Sequence, residues 1–127
     1  MTHFPQPHPS RRAPRVQLGG TVPAAVLLDD GNRTRGKLQS ISTTGGMLHL
    51  TGALRNGDFV EVTFETKSGR VQGMAEMLNP RKASEGCHQP FRFIALSDDD
   101  HKRLRLALDS VLERNFIGLR FTPTRSL

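Results

Sequence analysis

Tryptophan and tyrosine are missing from this 127-residue chain, so its seven phenylalanines and its aliphatic residues must fill any interior. Cysteine is nearly missing too. Cys87 stands alone, which excludes an internal disulfide and agrees with a reducing compartment. His88 beside it does not complete a metal site, because two adjacent ligands without a second pair seldom close a tetrahedron. None of the five histidines falls at H-x-x-x-H spacing, so no metal is expected and Cys87 reads as a loop residue. No apolar run approaches the roughly 18 residues that a membrane helix needs, so no membrane span is expected. The first residues, Met1-Thr2-His3-Phe4-Pro5, lack the apolar segment of a secretory signal, and a cytoplasmic location is the expectation. Catalytic patterns are absent as well. There is no Walker-type loop, no serine with His and Asp partners at motif spacing and no paired-carboxylate motif, so the chain reads as a non-enzyme.

What is present is modest in apolar content and uneven in charge. Hydrophobic residues make up 35%, enough for one domain with a single small core. The net charge is +6, and half of that excess comes from Arg11, Arg12 and Arg15, in a stretch without acids. The rest of the chain mixes both signs. That distribution argues against a broad track for a nucleic acid polymer and favours a small, local anionic partner.

Along the chain, residues 1–10 hold three prolines and two histidines without apolar periodicity, and read as a disordered tail. From Val16 the pattern changes to short strands punctuated by turn signals. Strands are predicted near 22–28, 34–41, 47–50, 59–64, 70–78 and 90–96. Asp29-Asp30-Gly31-Asn32, Asn56-Gly57-Asp58 and Lys67-Ser68-Gly69 mark turns, and 79–88 reads as a polar loop. Phe59, Phe64, Phe91 and Phe93 are the expected core aromatics. Short strands at this spacing indicate an all-β antiparallel barrel or sandwich, and closure would remove exposed edges.

One helix is predicted over 98–114. Ser97 is a suitable N-cap, and Asp98, Asp99 and Asp100 fill the first turn, where the positive end of the helix dipole favours carboxylates. Leu104, Ala107, Leu108, Val111 and Leu112 then recur on one face, which should pack on the barrel's end or flank. Residues 116–127 read as a tail carrying Phe116, Ile117, Leu119 and Phe121.

Two motifs carry the functional signal. Arg11-Arg12-Ala13-Pro14-Arg15 precedes the first strand, and Pro14 keeps it out of a helix. Ser40-Ile41-Ser42-Thr43-Thr44-Gly45-Gly46 ends the second. Planar guanidinium forks bind phosphate oxygens in pairs and also stack on a purine face. In the turn, Ser42 offers a hydroxyl and Gly45 and Gly46 permit close backbone approach. Order and type resemble the PilZ domain family, whose R-x-x-x-R motif is met by Arg11, Arg12 and Arg15 and whose (D/N)-x-S-x-x-G motif is met at Ser42 and Gly45. The resemblance covers about residues 11–115, with the arginine motif at 11–15, the barrel at 16–96 and the helix behind it. It implies a small, about six-stranded antiparallel barrel with one C-terminal helix.

The resemblance further implies cyclic di-GMP as the ligand, bound by Arg11, Arg12, Arg15, Ser40, Ser42 and Gly45, with no other cofactor. The message would pass, by ordering of the N-terminal arm, to a protein partner in motility, adhesion or polysaccharide export. Ser40 is the departure: the family places a carboxylate or amide there, against the guanine edge. A serine hydroxyl accepts at most one of the two guanine N–H groups well, a loss of about 1.5–3 kcal/mol. Two rival readings remain open. The chain is an adaptor with eroded motifs that works by protein contact through its apolar C-terminal segment, or a small basic barrel for single-stranded nucleic acid, which would need exposed aromatic platforms.

Overall fold

The computed structural model describes residues 2–3 and 15–109. Eight strands and one helix follow in order: β1 (Thr2–His3), β2 (Val16–Leu28), β3 (Arg33–Ile41), β4 (Gly45–Leu50), β5 (Phe59–Thr66), β6 (Gly69–Met77), β7 (Arg81–Lys82), β8 (Cys87–Ser97) and α1 (Asp98–Asp109). Six of the strands pair antiparallel along the path β8-β4-β3-β2-β5-β6, and β6 returns to β8 to close the barrel. The two short strands, β1 and β7, add to β8. The predicted six-stranded barrel with a C-terminal helix is therefore the observed architecture.

Alternation decides what lies inside. In β5, Val60, Val62 and Phe64 are buried while Glu61, Thr63 and Glu65 are only partly covered, as period-two geometry requires. Leu18, Leu38, Ile41, Leu48, Met77 and Leu96 fill the same interior from the other strands, each such side chain contributing about 1.5–3 kcal/mol by burial. Gln89 is the polar exception. Its amide, fully buried, accepts from the Leu54 N–H at 2.8 Å and donates to the Leu78 carbonyl at 2.6 Å, tying two loops to β8.

Helix α1 begins where it was expected. The Ser97 hydroxyl accepts from the Asp100 N–H at 3.0 Å and donates to the Asp100 carboxylate at 2.6 Å. That carboxylate also accepts from the Gln72 N–H at 3.0 Å, so the acidic first turn caps the helix and docks it on β6. Leu104, Ala107 and Leu108 are buried against the barrel. Residues 110–114 of the predicted helix, and the apolar segment after it, lie outside the described residues.

Four expectations are corrected. Phe59 is 52% exposed, because the inward phase of β5 falls on Val60 and its first residue points out. Cys87 is buried and opens β8 opposite Leu50 rather than lying in a loop. The supposed polar loop 79–88 folds back on itself, pairing Arg81 with His88 and Lys82 with Cys87. Within the supposed tail, Thr2 and His3 pair with Ser97 and Leu96. No helix among the described residues is long and apolar enough to cross a membrane.

A basic seam as the candidate functional site

Strand pairing joins the two motifs. Val16 faces Ile41 and Gln17 faces Ser40 across β2 and β3. Arg15, exposed, immediately precedes Val16 and Ser42 immediately follows Ile41, so the two motifs adjoin at this end of the pair. Arg11 and Arg12 lie outside the described residues. Directly opposed residues share a face, so two layers can be read across four strands. Val16, Ile41, Gly46 and Phe91 form the inner one; Gln17, Ser40, Met47 and Pro90 form the outer one. A bulge between Leu38 and Ser40 switches the phase of β3, which turns Ser40 outward and Ile41 into the core.

Ser40 is nevertheless only 3% exposed, and its hydroxyl makes no hydrogen bond among the described residues. Ser42, 1% exposed, is engaged within the turn. Its hydroxyl accepts from the Thr44 N–H at 3.2 Å, donates to the Gly45 carbonyl at 3.2 Å and lies 3.1 Å from the Thr44 hydroxyl. Its own N–H donates to the Gly45 carbonyl at 2.7 Å. The glycines answer to strand packing. A Cβ on Gly45 would meet the Phe91 carbonyl oxygen and, at 2.7 Å, the Arg92 Cα; one on Gly46 would meet the Ser40 carbonyl oxygen. Both let β4 approach its neighbours.

Two side chains at this seam carry no motif signal. Gln17 is exposed on the outer face and makes no side-chain hydrogen bond among the described residues. Its period-two relation to Arg15 was the available clue. Arg92 faces Gly45 across β4 and β8 and pairs with Glu76 at 2.6 Å; only tertiary pairing brings it here. Arg92 is charge-compensated by Glu76, so among the described outer residues here the positive charge that a small anion would meet is that of Arg15.

A separate groove of about 550 Å³ runs along the outer face of β2, β3, β5 and β6, floored by Pro23, Ala25 and Leu27. Arg70 on its wall contacts Glu65 at 2.7 Å, and that hydrogen bond, followed by the carboxylate's charge, raises the guanidinium pKa further. No group of three His, Cys, Asp or Glu residues among the described residues is arranged to hold a metal ion.

A closed antiparallel barrel with one capped helix packed on it defines the class: a small all-β barrel domain. The family is more specific: the PilZ domain model matches residues 9–110, and the chain belongs to that family. Solved structures agree on the fold. The PilZ domain of YcgR from Escherichia coli, described with c-di-GMP, superposes with a TM-score of 0.65 at 20% identity, covering 80% of this chain and 90% of that one. The Bacillus subtilis inhibitor of motility MotI/DgrA gives 0.65 at 13%, covering 82% of this chain and 51% of its own. MrkH of K. pneumonia in its apo state gives 0.64 at 15%, covering 80% and 51%. This chain thus spans about half the length of the latter two. No curated protein sequence matches it.

Proposed function

We propose that this chain is a cytoplasmic receptor for cyclic di-GMP that binds without catalysing a reaction. Arg11, Arg12 and Arg15 hold the two phosphates and stack on guanine, while the turn from Ser42 to Gly45 shapes the floor beneath them. Ligand capture at residues 11–15 changes the surface offered to a protein partner, of the motility, adhesion or polysaccharide-export kind. The observation that carries this reading is the register that pairs Val16 with Ile41 and Gln17 with Ser40, so that the arginine motif runs into β2 where β3 leads into the Ser42–Gly45 turn. Two or three charge-assisted contacts of about 1.5–3 kcal/mol each support micromolar binding after ordering costs.

Calorimetric titration with cyclic di-GMP, with GTP as control, tests it. The wild-type chain should bind, the Arg12→Ala, Arg15→Ala double variant should lose at least about 100-fold in affinity, and Ser40→Asp should gain. Undiminished affinity in the double variant would sink the site assignment. The burial of Ser40 and the internal bonding of the Ser42 hydroxyl favour one alternative, an adaptor that acts by protein contact. A flat titration alongside a stable protein complex would select that alternative.

A further inference from the structure

We infer that Gln17 reads the base, and that its neutral amide opens the site to adenine as well as guanine cyclic dinucleotides. This rests on the receptor reading above. Gln17 follows Arg15 by two residues and lies directly opposite Ser40. Its side chain is exposed and has no partner among the described residues. The alternatives at the seam are poorer. The Ser42 hydroxyl is bonded within its turn, and the Ser40 hydroxyl lies buried at the base of the outer layer. Met47 and Pro90, which complete that layer, offer no side-chain group able to read a base edge.

The chemistry of an amide sets the selectivity. A carboxylate only accepts, so it matches the N1–H and N2–H donors of guanine and opposes an adenine edge that presents the N1 lone pair. An amide carries both a donor and an acceptor and can turn over about its terminal bond. In one orientation it donates to guanine O6 and accepts from N1–H; in the other it donates to adenine N1 and accepts from the N6 amine. Phosphate gripping and stacking by the arginines are indifferent to which purine is present.

Calorimetry with cyclic di-GMP and cyclic di-AMP on the full chain tests the inference. Wild-type protein should bind the two within about tenfold of each other. Gln17→Met, equal in length but without the amide, should weaken both by about tenfold with an unchanged melting temperature. Gln17→Glu should restore a guanine preference of at least about tenfold. Cyclic di-GMP binding that depends on Arg15, with cyclic di-AMP more than about 100-fold weaker, overturns the inference and leaves the receptor reading standing; an arginine fork on guanine O6 and N7 would then be the reader. Unchanged affinities in Gln17→Met overturn it equally. No binding of either nucleotide by the wild-type chain overturns both.

Discussion

Between β3 and β4 the Ser42 hydroxyl accepts from the N–H two residues on, at 3.2 Å, and donates to the Gly45 carbonyl three residues on, at 3.2 Å. Between β5 and β6 the Thr66 hydroxyl makes the same two bonds, from the Ser68 N–H at 3.0 Å and to the Gly69 carbonyl at 2.8 Å. Both hydroxyls are buried. The local chemistry is one and the same, yet the surroundings differ. The first turn lies beside Arg15 and Arg92, and its glycine is pressed between strands. The second lies under Arg103 of α1, and its glycine has φ +123°. A Ser/Thr-x-x-Gly turn is therefore a way of reversing a strand. It becomes part of a candidate site only where strand pairing brings the arginine motif to it, as at Ser42 and not at Thr66.

The largest effect that would sharpen this contrast is expected at the glycines. Gly45→Ala drives a Cβ into the backbone of β8 and should cost about 3 kcal/mol in denaturant unfolding. Gly69→Ala meets only the flexible Arg103 side chain, at 3.0 Å, and adds left-handed strain, together about 1–2 kcal/mol. A reversed order would show that the two turns are not packed as described. At the hydroxyls, Ser42→Ala and Thr66→Val should each cost about 1–2 kcal/mol. Only the former should also weaken cyclic di-GMP in calorimetry; equal loss in both would dissolve the distinction between site and scaffold. A third bonded hydroxyl supplies a control, since Ser97→Ala should remove about 1 kcal/mol through the helix cap and leave nucleotide affinity unaltered. Smallest of all, Lys67→Ala at the exposed tip of the second turn should shift stability by less than about 0.5 kcal/mol.

Much of the fold is legible in the residues alone. Alternating apolar residues announced β5, β6 and β8, and Ser97 with three aspartates announced α1, because these signals are local in the chain. Phe59 shows where local reading slipped. Its aromatic character suggested the core, yet the phase set by Val60, Val62 and Phe64 turns it outward. Cys87 and the hairpin at β7 were missed for a different reason. Residues 79–88 lack alternation, and their pairing depends on β8 and on Leu50 across from Cys87. At the seam, Arg15, Ser42 and Gly45 were recognisable from motif order, while Gln17 and Arg92 carry no motif and are recruited by cross-strand register alone. The roles of the two glycines were likewise hidden, since what they admit is the backbone of strands distant in sequence.

By itself the chain of residues determined its antiparallel all-β class, its capped helix and the presence of a concentrated cationic cluster, since periodicity, capping and charge are properties of neighbours. Folding alone decided which groups stand together. The bulge after Leu38 reverses the phase of β3, so one residue of shift turns Ser40 toward Gln17 and sends Ile41 inward. Side chains alternate strictly along a strand, and such a shift can be seen only once its partner strand is in place.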